Sequence, residues 1–149
     1  MEKADFEYDH DQFRGELGKV AYAYKRIKER LLRNFEHWKE LGAGFFNNQV
    51  SFEIGVDGES VSGIAAGKKF AISLTPVAFE NDNYALAVVT VVDLVSKLPL
   101  EIDRFLISVN GDVLSMERVE LLSSEDEAQS LKLLIAVVRR VIRAIPVQV

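Results

Sequence analysis

Cysteine is absent from this chain, and with it go disulfide frameworks, zinc-thiolate sites, iron-sulfur clusters and thiol nucleophiles. Histidine is scarce: His10 and His37 are the only two, and no HxxxH or HExxH spacing exists, so a histidine-cluster metal site is excluded. A Ser-His-Asp triad would have to draft a histidine from a helix surface. The longest apolar runs, Ala85 to Val89 and Leu133 to Val138, fall far short of the roughly 20 residues of a spanning helix, so no membrane insertion is expected. The opening residues, MEKADFEYDHDQF, are acidic and polar where a secretory signal is basic and then apolar, which makes cytoplasmic residence the expectation. Gly63 to Lys68 lacks the first glycine and terminal hydroxyl of a phosphate-binding loop and reads as a hairpin.

What is present suits an ordinary folded domain. With 48% apolar and 28% charged residues over 149 positions, the chain can bury a core without staples, and residues 1–149 are read as one domain, with 1–10 an acidic, loosely ordered lead-in. The net charge of -5 conceals segregation. Residues 1–16 carry two basic and six acidic side chains, and 17–39 carry seven and two. Residues 40–130 carry five and fifteen, whereas 131–149 carry four and none. The basic charge therefore sits on the two predicted helices and the acidic charge on everything else.

From Phe13 to Leu41, apolar residues recur every three or four positions without a proline, predicting a long amphipathic helix. Asp9 or Asp11 caps it, Gly15 and Gly18 weaken its start, and Gly42 with Gly44 stop it. The period then changes to two. Strands are expected over Val50 to Val56, Glu59 to Ala65, Phe70 to Thr75, Tyr84 to Val95, Ile102 to Val109 and Asp112 to Met116. Asp57-Gly58, Gly67-Lys68, Glu80 to Asn83 and Asn110-Gly111 mark the turns, and Pro76 perturbs the third strand. Ser124 to Glu127 has the form of a capping box ahead of a second helix with the stripe Leu131, Leu134, Ile135, Val138, Val141, Ile142 and Ile145, ending by Pro146. The expected class is α+β: a meandering antiparallel sheet of five to six strands flanked by a long N-terminal helix and a C-terminal helix.

Three surfaces are candidates for function. Lys19, Arg26, Arg30, Arg33 and His37 form one stripe on the solvent side of the first helix, able to follow a phosphate backbone or to dock on an acidic protein. Alternation places Val50, Phe52, Ile54, Phe70, Ile72, Leu74, Leu86, Val88, Val92, Phe105 and Ile107 on a core face. The opposite face then holds Ser73 and Thr75 beside Ala85, Ala87, Val89, Val91 and Asp93, a face needing cover by a helix, a second chain, a partner or a ligand. Asp93 is there a general acid or base, or else the end of a strand or the partner of Arg104. Leu133 and Val137 lie off the main stripe of the second helix and are expected to be exposed, or else covered by a second contact. His10, between Asp9 and Asp11, reads as solvated capping sequence.

These observations favour a non-catalytic protein-interaction domain of the inhibitor, immunity, chaperone or assembly-factor kind, with a protein partner and no cofactor; a homodimer is compatible with the charge pattern. The alternatives are a nucleic-acid-binding module using the basic helix face, and a small-molecule binder or enzyme using the second sheet face.

Overall fold

The computed structural model describes residues 1–79 and 82–147; Glu80 and Asn81, within the turn expected at Glu80 to Asn83, lie outside them. A 3-10 turn over Lys3–Phe6 precedes helix α1 (His10–Ala43). Seven strands follow among the described residues: β1 (Val50–Ile54), β2 (Ser60–Ala65), β3 (Lys68–Phe79), β4 (Asp82–Val92), β5 (Pro99–Ser108), β6 (Val113–Leu114) and β7 (Glu120–Leu122). Helix α2 (Gln129–Arg143) closes the order. Every strand pairs antiparallel with its neighbour in sequence, so the sheet is a seven-stranded meander in an α+β fold.

The caps explain where the helices begin and end. The Asp9 carboxylate accepts from the backbone N–H of Asp11 and Gln12 at 2.8 and 3.0 Å, satisfying two otherwise unpaired donors, and α1 stops at Gly44. The expected capping box of α2 does not form. Ser124 to Glu127 stays outside the helix, where Asp126 accepts from the Ala128 N–H at 2.8 Å and the Lys132 ammonium at 2.6 Å, and α2 starts at Gln129 with no side-chain cap.

The hairpins are close to expectation, with shifted tips. Asp57-Gly58 sits inside a five-residue connection, the second turn is the two-residue Ala66-Gly67 with positive φ at both, and Gly111, also at positive φ, lies in the four-residue connection from β5 to β6. Pro76 does not end β3. The Leu74 N–H donates toward β2, to the Glu59 carbonyl, so the nitrogen of Pro76 two residues on faces the same side, where β2 has already turned away. A missing donor costs nothing at such an edge.

Both helices lie on one face of the sheet. Ile27, Leu31, Phe35 and Trp38 of α1 and Leu133, Leu134, Val137 and Val141 of α2 share one core with Phe52, Val61, Phe70, Ile72, Leu74, Ala85, Ala87, Val89, Val91, Phe105 and Ile107. Aromatic rings run through it, with centroid separations of 5.1 Å from Phe35 to Trp38, 5.6 Å to Phe52 and 5.9 Å to Phe70. The Trp38 indole donates to the Ser130 carbonyl at 2.9 Å, joining α1 to the first turn of α2.

The register corrects the expected faces of β4. Phe70, Ile72 and Leu74 pair with Val91, Val89 and Ala87, so these odd-numbered residues of β4 lie under the helices, and Leu86, Val88 and Val92 take the outer face. Residues directly opposite in an antiparallel pair point the same way, and a one-residue slip exchanges the faces. Because β4 is apolar on both sides, its own pattern could not reveal the slip.

Candidate functional site

Helix α1 is longer than the sheet it covers. Lys28 and Arg30 stand level with the hairpin tips, Lys28 forming an ion pair with Glu59 at 3.5 Å and the Arg30 guanidinium lying against Gly111, while Gly42 meets Val50 at the other end. No residue before Ala23 is buried. Residues 10–22 therefore project from the body as about 20 Å of helix at 1.5 Å per residue. Phe13, Leu17 and Val20 continue, at 100° per residue, the line whose later members Ile27 and Leu31 are buried. In the projecting part Phe13 is 51% exposed and Leu17 57%, with Phe6 and Tyr8 exposed just ahead, while Val20 is half-buried. The sequence pattern merged this segment with the core stripe, since nothing in the spacing marks where the sheet ends.

The expected basic stripe divides into three environments. Lys19 lies on the projection. Arg26, Arg30 and Arg33, with Lys25 and Tyr22, form one wall of an open cleft of about 1060 Å³. The opposite wall includes Asn110, Asp112, Glu120 and Glu125. The Asp112 carboxyl is held below the usual carboxylate range, mainly by the Ser124 N–H donated to it at 2.7 Å. Arg26 reaches Tyr22, its guanidinium 5.9 Å from the ring centroid. His37 places Nδ1 3.0 Å from the Ser130 hydroxyl and so belongs to the contact between helices. A cleft with one cationic and one anionic wall suits a chain segment bearing both charges better than a uniform polyanion, which would meet Asp112, Glu120 and Glu125.

The second sheet face does not assemble the expected pocket. Ser73 and Thr75 lie on the outer face opposite Val88 and Leu86, whereas Val89 and Val91, each 1% exposed, are core residues beneath the helices. Asp93 is buried at the end of β4, where its carboxylate accepts from the N–H groups of Val95 and Ser96 at 2.9 and 2.8 Å. Its part is to shape the turn into β5. Arg104 donates instead to Glu101 at 2.6 Å.

On α2 the buried side differs from the expected stripe. Leu133 and Val137 are 5% and 4% exposed, against the expectation that they face solvent, and the chain's own sheet and α1 supply the cover. Ile135, Ile142 and Ile145 remain at the surface. The apolar arc of α2 exceeds half its circumference, so the stripe of strongest periodicity need not be the one that docks. Lys68 donates to the Ala144 carbonyl and anchors the end of the helix.

Among the described residues no cluster of three metal-ligating side chains occurs, and no helix is long and apolar enough to cross a membrane. No family model, curated protein or solved structure matches this chain.

Proposed function

We propose that this protein is a non-catalytic interaction domain whose contact element is the projecting segment of α1. The observation that carries this reading is the exposed run of Phe13 and Leu17, in line with the buried stripe of the same helix, on a segment in which no residue is buried. Holding apolar side chains in water forgoes on the order of 1.5–3 kcal/mol for each relative to burial, a cost that association recovers. The mixed charge of the adjoining cleft supports a protein contact over a nucleic-acid one, because a phosphate backbone entering along Arg26 to Arg33 would face the acidic wall.

The test is site-specific photocrosslinking in the native host, with a photoreactive phenylalanine analogue at Phe13 and, as control, at exposed Lys97 in the turn at the far end of the sheet. Adducts of discrete mass from position 13 alone are the expected result. Equal labelling at both positions, or none at 13, would refute the assignment.

A further inference from the structure

We infer that the cleft between α1 and the segment following β7 binds an extended segment of another protein in which acidic and basic side chains alternate. The site is separate from the Phe13 and Leu17 surface. At 100° per residue Arg26, Arg30 and Arg33 share one side of α1, about 150° around the helix from Phe13 and Leu17, so the two surfaces face different ways. The inference therefore goes beyond the contact proposed above and is tested apart from it.

The lining decides the class of occupant. Pockets for small molecules hold roughly 300–1,000 Å³ and are walled mainly by apolar groups. This cleft, at about 1060 Å³, is larger, and among the described residues Tyr22 and Val109 are the only aromatic or aliphatic side chains that line it. The helix wall carries Lys25, Arg26, Arg30 and Arg33 against the single acid Glu29, a net of three positive charges. Across from it stand the three negative charges of Asp112, Glu120 and Glu125. Among the described residues none of the four cations forms an ion pair, and neither does Glu120 or Glu125. The walls meet only where Arg30 lies against Gly111, at which a Cβ would come within 2.6 Å of the arginine Cδ and Nη1.

Two walls of opposite sign and equal charge match an occupant that offers acid to one side and base to the other. Successive side chains of an extended chain point to opposite sides, so alternation of acidic and basic residues supplies this directly. Arg26 to Arg33 covers about 10 Å of helix, and three like side chains of an extended segment cover about 13 Å, a difference within the reach of an arginine side chain. A uniform polyanion would gain one wall and be repelled by the other, and a uniform polycation the reverse.

Titration calorimetry of the full chain at about 50 mM salt tests the inference with four probes: an alternating Glu-Lys octapeptide, the block peptide of the same composition, octaglutamate and octalysine. The alternating peptide is expected to bind at least tenfold tighter than the other three, and to weaken at least tenfold at about 500 mM salt. Reversing the helix wall alone, with Arg26→Glu and Arg33→Glu, should abolish that binding and admit octalysine. Adding Glu120→Lys and Glu125→Lys exchanges the walls and should restore preference for the alternating peptide, which offers either edge to either wall. All four substituted residues are exposed, so circular dichroism should show the fold unchanged in both variants. Equal binding of the alternating and block peptides, tightest binding of octaglutamate, or no binding of any probe overturns the inference, and the second of these marks a polyanion site instead. Crosslinking at Phe13 is read independently, since it can succeed or fail with this cleft empty.

Discussion

Three glycines of α1 meet different surroundings, and Gly→Ala at each separates helix propensity from close packing. A Cβ at Gly15 or Gly18 would meet nothing within 4 Å, whereas at Gly42 it would lie 2.3 Å from the Val50 carbonyl oxygen and 3.3 Å from its carbon. Replacing glycine by alanine inside a helix gains about 1 kcal/mol of propensity. At Gly42 that gain is set against an overlap of about 1 Å with backbone that carries the first residue of β1, and overpacking of this kind costs roughly 1–3 kcal/mol or more. The Asn48 N–H that donates to the Gly42 carbonyl at 2.8 Å must move as well. The expected net loss for Gly42→Ala is about 2 kcal/mol, which lowers the melting temperature by roughly 4–8 °C in a chain of this size. Gly15→Ala and Gly18→Ala should raise far-UV helicity and slow amide exchange in residues 10–22. They should leave the global transition within about 1 °C, because an unburied segment opens without the core. Urea and thermal unfolding followed by circular dichroism, with amide exchange, provide the readout. Stabilisation by Gly42→Ala equal to that by Gly18→Ala would show that the close approach of α1 to β1 does not exist.

Leu133→Ala is expected to cost about 2–5 kcal/mol in urea unfolding and Ile142→Ala less than about 1, whereas the reverse order would mean that α2 packs on the stripe read from its periodicity. Asp93→Ala leaves the Val95 and Ser96 N–H groups without the acceptor they share, for an expected loss of about 1–3 kcal/mol in the same assay, and an unchanged midpoint would deny the carboxylate its turn-forming role. The Tyr24 hydroxyl is buried, and burial first, then the neighbouring Glu59 carboxylate, pushes it up to about 12. Ultraviolet titration should therefore show one tyrosine ionising near that value. Since its folded pKa lies above the ordinary 10, its contribution to stability is complete below about pH 10 and is lost as pH rises toward 12; Tyr24→Phe should flatten this alkaline limb. The opposite sign applies to Asp112, whose depressed folded pKa contributes stability above the ordinary carboxylate pKa that is lost on acidification, so Asp112→Asn should flatten the acid limb.

Much of the architecture was legible because its signals are local. A period near 3.6 without proline forecast α1, the Asp9 carboxylate lies within reach of the N–H groups it caps, and glycine-bearing tips marked the hairpins. Among the described residues seven strands stand where five to six were expected, because β7, three residues long, is defined by its pairing with β6 and has no pattern of its own. The basic stripe was visible as spacing, but its division among projection, cleft and interhelical contact depends on Gly111, Asp112 and Ser130, which are distant in the chain.

By itself the sequence determined the α+β class, the long first helix, the meander and the polarity of charge along α1, all of which follow from residue type and short-range spacing. Tertiary structure alone decided three things. The faces of β4 came from its register with β3, because a strand apolar on both sides satisfies either register equally in isolation. The rotation of α2 came from packing, because an apolar arc wider than its docking site leaves a choice that only the surrounding surface makes. The exposure of Phe13 and Leu17 came from the length of the sheet beneath α1. A helix carries the same hydrophobic period whether or not anything lies below it, so only the fold shows where the cover ends.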